Sequence, residues 1–233
     1  MLGNLLVRWC ERLMIINPSC TVKRHNSISI IVISCQHKKN IKKKYLEEEI
    51  INKIIKKKIK PNLINKKTKF YINPSGSFTL GGPSVDTGLT GRKIIQDSYG
   101  NEIRHGGGCF SGKDGTKVDR SGAYMARYLA KNIVASGICN KCEIQLTYAI
   151  GIEKPISLYI NTFQTNKVKE SLIIETIKNH FDLSPQGIIK KLNLKKPIFA
   201  ITSREGHFGR IDNLFSWERI DQKFIFSKLL LIK

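Results

Sequence analysis

Between Gly81 and Arg120 the chain crowds glycine, proline and charge together in a way that no regular helix or strand can carry. The stretch opens GGPSVDTGLTGRKI (Gly81–Ile94) and resumes HGGGCFSGKDGTKVDR (His105–Arg120). Runs such as Gly81-Gly82-Pro83 and Gly106-Gly107-Gly108 belong in loops, because glycine is costly in a helix or strand and free to take conformations other residues avoid. Such loops let the backbone approach a ligand closely, and their unpaired N–H groups can form an anion-binding nest. Arg92, Lys93, Lys113 and Lys117 supply cations, and Asp86, Asp114 and Asp119 supply carboxylates for Mg²⁺ or a ligand ammonium group. Glycine loops, fixed cations and a few acids are what a polyphosphate–Mg²⁺ site is built from.

Gly107 to Lys113 fits the first seven places of the P-loop pattern GxxxxGK[ST], but the eighth is Asp114, where a hydroxyl should meet Mg²⁺. No apolar strand leads directly into this loop, and the following helix signal starts several residues late. The P-loop reading is rejected. A phosphate-binding reading survives, because nests and cations do not require that fold.

The flanks read as a mixture of strands and helices. Ser27–Cys35 (SISIIVISC) is expected to be a short strand, apolar on both faces. From Lys38 to Lys60, Tyr45, Leu46, Ile50, Ile51, Ile54, Ile55 and Ile59 recur at helical spacing, which predicts one amphipathic helix with a Lys-rich solvent face, closed by Pro61. A second helix is expected over about Arg120 to Ser136, with Asp119 as N-cap, Gly137 at C′ and an apolar stripe of Ala123, Ala126, Ala130, Ile133 and Val134. Glu143–Ile152 alternates as a half-buried strand, with Ile144, Leu146, Tyr148 and Ile150 on one side, and Pro155 opens another through about Phe163. A helix over about Lys169 to His180 and a shorter one opened by Ser184-Pro185 follow. Helices are too few for a doubly wound sheet, so the expected class is α+β, with antiparallel sheets covered by helices on one face. Residues 1–26 show no clear period.

The chain carries 40 Lys+Arg against 18 Asp+Glu, a formal charge of +22. The excess is mostly Lys beside many Ile and Asn residues, as base-composition bias in the gene produces everywhere at once. Nucleic acid is therefore the least favoured partner, although a basic surface alone would suit it. Six scattered cysteines in 233 residues point to a reducing, cytoplasmic setting rather than a disulfide framework. Cys139 and Cys142 form a lone CxxC, read as thiols packed at a strand start and not as a zinc or redox site. The longest apolar run, Ile28 to Cys35, is far too short to span a membrane, so no membrane partner is expected. Arg8, Glu11 and Arg12 stand where a secretory signal would be apolar; an organelle transit peptide stays open.

Several blocks in order carry a family resemblance. They are KFYINPSGSFTLGGPSVDTGLTGRKIIQDSYG (69–100), RHGGGCFSGKDGTKVDRSGAYMARYLAKNIVASG (104–137) and CEIQLTYAIGIEKPISLYINTF (142–163), with VISCQH (32–37) upstream and GHFGR (206–210) and Trp217-Glu218 downstream. Together they resemble the methionine adenosyltransferases (S-adenosylmethionine synthetases). The resemblance implies similar α+β domains related by pseudo-threefold symmetry, and a homodimer with active sites between subunits, often paired into a tetramer. It implies S-adenosylmethionine synthesis from ATP and methionine, by attack of the methionine sulfur on C5′ of ATP, with the tripolyphosphate then hydrolysed to phosphate and pyrophosphate. Mg²⁺ and K⁺ are the ions implied.

By position in the family's motifs, Arg92, Lys93 and Lys113 would grip the phosphates, with Lys113 and Arg92 as the catalytic pair. Asp86 would touch ATP and the methionine amino group, Lys117 would lie near methionine, and Asp119 would be a Mg²⁺ ligand. Ser77, Phe78 and Cys109 would line the nucleotide pocket. The sequence departs from the pattern at Ser77, where Arg is usual, at Gly115, where Pro is usual, at Gln164, which replaces Gly, and near Leu13, which takes the place of a Lys. The family's N-terminal domain, with its HPDK-type motif, has no counterpart here. The expected organisation is thus an unmatched segment over 1–26, a partial central domain over 27–80 and a C-terminal domain over 81–233. An inactive remnant, an oligomerisation partner of a full-length enzyme, and a chain completed by a separate N-terminal fragment are the alternatives to a self-sufficient enzyme.

Overall fold

The computed structural model describes the backbone of residues 10–16, and residues 28–85, 87–100, 103–203, 206–210 and 214–231. The chain divides into two compact units, Met1–Gly88 and Leu89–Lys233.

In the first unit, β1 (Cys10–Ile16), β2 (Ile30–Cys35) and β3 (Lys69–Ile72) form a three-stranded sheet in that order. Strand β1 lies antiparallel to β2, with Ile16 opposite Ile30. No element was expected over 1–26, because CERLMII lacks alternation; pairing along β2 satisfies the backbone whatever the side-chain period. Strand β3 runs parallel to β2, with Ile30 opposite Lys69. The expectation of purely antiparallel sheets is corrected here. The β2–β3 connection passes through a helix, the crossover that parallel neighbours need. Strand β2 also alternates, burying Ile31, Ile33 and Cys35 and leaving Ile30, Val32 and Ser34 half covered, so it is apolar by composition yet one-sided in packing.

The expected amphipathic helix is present but interrupted. Helix α1 (Lys43–Ile50) passes through a π-helical turn (Ile51–Ile55) into α2 (Lys56–Lys58), and Pro61 opens a 3₁₀ turn (Pro61–Leu63). Leu46, Ile50 and Ile55 pack on Ile31, Ile33 and Ile72. The step from Ile50 to Ile55 is one residue longer than an α turn allows. The wider π turn absorbs it and keeps Ile55 on the core face. The lysines of these helices are exposed.

The second unit is organised around α4 (Val118–Ala135). Its buried face is Tyr124, Met125, Tyr128, Leu129, Asn132 and Ile133, whereas the expected alanine stripe is only half buried and Val134 is exposed. The aromatic and long aliphatic residues bury more apolar area than alanine does, so they set the helix's rotation. Lys117, not Asp119, is the N-cap, and Asp119 sits in the first turn. Gly137, at φ +80°, closes the helix as expected.

Strands β4 (Glu143–Thr147) and β5 (Ser157–Asn161) form a two-stranded antiparallel hairpin. It is shorter than expected, and Ile150 lies outside it, fully exposed. Helices α5 (Glu170–His180) and α6 (Pro185–Leu192) follow the expected positions, with Ser184 Oγ accepting from the Gly187 N–H at 3.0 Å as N-cap and Pro185 in the first turn. The core of this unit joins α4 to Ile173, Ile177, Ile188, Leu192, Trp217 and Phe226. Two short elements were not anticipated, β3 and, inside the glycine-rich stretch, α3 (Ile94–Asp97). Helices α7 (Phe199–Thr202) and α8 (Lys223–Ser227) complete the set. The outcome is an α+β protein, and among the described residues no helix is long and apolar enough to cross a membrane.

Candidate phosphate-binding site

In the second unit the two glycine-rich loops touch. Gly91, at φ +80°, stands so near Cys109 that a β-carbon added to it would lie 2.9 Å from Cys109 Cβ. The GLTGRK loop is thereby seated on the GGGCF loop by a contact that a side chain at position 91 would break. Arg92 and Lys93 follow directly, both exposed, and neither pairs with a described carboxylate. Gly108 makes a similar approach on the other side, where an added β-carbon would stand 2.6 Å from Asp119 Oδ1. Gly107 N–H donates to His105 Nδ1 at 2.9 Å, which fixes the start of this loop.

Asp119 receives Lys113, whose Nζ lies 2.5 Å from Oδ2. The hydrogen bond to Asp119 raises the Lys113 pKa further, so the ammonium form is held. Asp114 is spent locally. It accepts from the Thr116 N–H at 2.8 Å and from the Thr116 hydroxyl, which holds its carboxyl below the usual range. Lys117 folds back on the same turn, 3.0 Å from Thr116 Oγ1 and 3.8 Å from Asp114 Oδ1. Lys113, Lys117 and Asp119 therefore surround the first turn of α4, where the helix dipole favours negative charge.

Ser77 and Phe78 belong to the first unit, where His37 holds them. Phe78 N–H donates to His37 Nε2 at 3.2 Å, His37 N–H donates to Phe78 O at 2.8 Å, and Ser77 Oγ lies 3.5 Å from Nε2. Gln36 Nε2 donates to Thr79 O at 3.2 Å. Asn73, at φ +45°, turns the chain into this segment and bridges the backbone of Cys35 through both side-chain atoms. The VISCQH block thus shapes the SGSF segment. Asp86, expected to touch ATP and methionine, lies outside the described residues.

Residues to which no role was assigned form the support behind the loops. Arg120 is buried at 4% exposure. It donates to the carbonyls of Phe110 (3.1 Å) and Lys113 (2.6 Å), to Thr202 Oγ1 (2.8 Å) and to Tyr124 Oη (3.1 Å). Tyr124 Oη lies 2.7 Å from His207 Nδ1, and its ring stacks on Trp217 at 3.8 Å. Trp217 Nε1–H donates to His207 O at 2.9 Å. Burial, with Arg120 and Arg210 nearby, lowers the His207 pKa to about 4. Glu218 accepts from Arg127, Lys131 and the Gly209 N–H. A sequence signal for Arg120 existed: a charged residue on the face of an apolar-striped helix, directly after a glycine loop, has to find polar partners inside.

Mg²⁺ commonly keeps several waters and binds one or two carboxylates together with substrate phosphates. Asp119, with its side chain 49% exposed, suits such a phosphate-borne ion. Among the described residues no group of three or more His, Cys, Asp or Glu is placed to hold a metal, so they offer no acidic cage for Mg²⁺ or K⁺.

Two family models match this chain. That of the S-adenosylmethionine synthetase central domain matches residues 19–78, and that of the S-adenosylmethionine synthetase C-terminal domain matches residues 80–219. The central-domain match begins ahead of Ser27, and the two matches meet near residue 79, ahead of the point after Gly88 where the compact units part. On these matches, which run in family order through both units, the chain belongs to the S-adenosylmethionine synthetase family.

Proposed function

We propose that this chain takes part in S-adenosylmethionine synthesis and that its second unit grips the triphosphate of ATP. The observation that carries the reading is the joint seating of the two loops, Gly91 on Cys109 and Gly108 on Asp119, with Lys113 and Lys117 beside the first turn of α4. In the reaction the methionine sulfur forms a bond to C5′, the C5′–O bond breaks, and its electron pair leaves with the tripolyphosphate. Negative charge grows on that leaving oxygen, so cations already fixed beside the phosphates stabilise the transition state more than the ground state. Arg92, Lys93 and Lys113 take that part. Ser77, Phe78 and Cys109 are assigned to the nucleotide by the family resemblance alone. Lys117 and Asp86 orient methionine, a role that rests on the family resemblance alone. Mg²⁺ arriving with the phosphates would neutralise part of their charge, with Asp119 among its ligands. The family's K⁺ requirement is assigned to no residue here. A homodimer or homotetramer in the cytoplasm is the matching assembly and setting.

The test pairs S-adenosylmethionine formation with calorimetry of tripolyphosphate binding, each in wild type and Lys113→Ala. Binding that weakens at least about tenfold in the variant is expected, equivalent to about 1.4 kcal/mol. Product that disappears with Lys113 makes the chain a complete enzyme. Tight binding without product makes it the phosphate-gripping part of an assembly with another polypeptide. No tripolyphosphate binding by wild type would sink the proposal.

A further inference from the structure

Among the described residues Arg120 is a buried cation without a counter-charge. Its guanidinium hydrogen-bonds two backbone carbonyls, a Thr hydroxyl and a Tyr hydroxyl, all neutral, and lies 3.9 Å from the ring centroid of Phe199. Among the described residues no carboxylate pairs with it. Arg127, two turns along the same helix, shows the ordinary arrangement, a fork on Glu218 with both contacts at 3.0 Å. Burying a charge is costly unless it is paired and hydrogen-bonded. Among the described residues Arg120 has the hydrogen bonds and lacks the pair.

Its position says what the missing charge would be. The two carbonyls it holds belong to Phe110 and Lys113, the ends of the turn Phe110-Ser111-Gly112-Lys113. A planar guanidinium can hold several acceptors in fixed directions at once, which a lysine ammonium on a flexible stem does less well. Next along the relay, Tyr124 Oη meets His207. Neutral His207 adds no second positive charge to the cluster.

We propose that Arg120 is a positioning residue of the phosphate site, fixing the 110–113 turn that aims Lys113 while adding a permanent positive charge that bound polyphosphate, not protein, neutralises. The inference rests on the polyphosphate reading of the preceding subsection. It goes beyond that reading because Arg120 acts through the carbonyls of Phe110 and Lys113 that it holds.

Hydrogen exchange of the whole ligand-free chain reads the positioning half, and tripolyphosphate calorimetry without Mg²⁺ reads the charge half. The variants are Arg120→Lys, which keeps charge and loses the fork; Arg120→Gln, which loses both; and Thr202→Val, which removes one acceptor and leaves Arg120 in place. Faster exchange over 110–117 is expected in all three, with the body of α4 still protected. Affinity should fall by roughly tenfold in Arg120→Gln, by less in Arg120→Lys, and least in Thr202→Val. A merely structural arginine would make the Lys and Gln variants equal in affinity once both are folded. Unchanged exchange over 110–117 in a folded Arg120→Lys overturns the positioning role, and Thr202→Val decides the matter if both Arg120 variants unfold. Equal affinity of wild type and Arg120→Gln overturns the charge role and leaves the polyphosphate reading standing. A wild type that ignores tripolyphosphate overturns that reading and the charge role together, and exchange still decides whether Arg120 holds the turn.

Discussion

Lys113 Nζ and Asp119 Oδ2 lie 2.5 Å apart at the start of α4, so the lysine proposed to grip phosphate is already held by a carboxylate of its own chain. Polyphosphate must share or displace that partner. The pair is partly exposed, with Lys113 at 25% and Asp119 at 49%, so it contributes at most about 1 kcal/mol. Asp119→Asn should therefore tighten tripolyphosphate binding in Mg²⁺-free buffer by up to about fivefold. With Mg²⁺ present the order should reverse, because the proposed site makes the wild-type carboxylate a metal ligand. Calorimetry with and without Mg²⁺ checks this. Weaker binding by the variant in both buffers would remove Asp119 from the role of competitor.

Gly108 and Gly91 differ in what a methyl group would meet. At Gly108 a methyl would meet Asp119 Oδ1 at 2.6 Å, which can swing away, and Asp119 Cβ at 2.9 Å, which cannot, but its backbone is not left-handed. Gly108→Ala should lower the thermal midpoint by less than Gly91→Ala, having the clash without the left-handed strain, while it displaces Asp119 and weakens Mg²⁺–tripolyphosphate binding. At Gly91 the obstacle is Cys109 Cβ, and the backbone has φ +80°. Gly91→Ala meets left-handed strain of about 1–2 kcal/mol and a clash with an atom that cannot rotate away. Its midpoint should drop and its affinity with it. Equal melting of the two variants would contradict the distinction.

How far the sequence reads through to this structure differs between elements. Helices α4, α5 and α6 were legible in position, helped by end signals such as Ser184-Pro185 before α6 and Gly137 after α4. The buried face of α4 was misjudged because it was assigned mainly to alanines; Tyr124 and Tyr128 are buried instead, with hydroxyls that meet buried His207 at 2.7 Å and exposed Asp221 at 2.5 Å. The parallel pairing of β2 with β3 could not be read locally, since register depends on residues nearly forty apart in the chain. The cation set of the loops was visible in the motif, but the Lys113–Asp119 pair and the arginine behind it were not. Those depend on how the loop folds onto the helix, which no spacing rule supplies.

Glu218 is 6% exposed at its side chain and gathers Arg127, Lys131 and the Gly209 N–H. Burial pushes its pKa up, but hydrogen bonds from Arg127 and Lys131 outweigh that and hold it below 4.5. Glu218→Gln would leave two cations facing a neutral amide. The cost should be about 3 kcal/mol, the low end for breaking a buried pair, because Arg127 and Lys131 keep some water contact. Chemical denaturation measures the loss, and exchange over 206–210 should rise as Gly209 loses its acceptor. A loss below about 1 kcal/mol would mean that the pair behaves as a surface ion pair.

His207 gives the protein a pH dependence of definite sign. Its pKa falls from 6.5 to about 4 on folding, chiefly through burial. The folded state therefore resists a proton that the unfolded chain accepts, and the stabilisation is fully present above 6.5. It is lost progressively as pH falls from 6.5 towards 4, by at most about 3 kcal/mol. Glu218, whose folded pKa lies below 4.5, loses its own contribution at lower pH. The interval from pH 6.5 to 5 thus isolates the histidine. His207→Gln keeps an acceptor for the Tyr124 hydroxyl without a titrating ring. Its unfolding free energy should be flatter across that interval than that of wild type, and the two curves should converge towards pH 5. Parallel curves would mean that His207 protonates as readily in the folded chain as in the unfolded one, and that the Arg120–Tyr124–His207 relay tolerates a second positive charge.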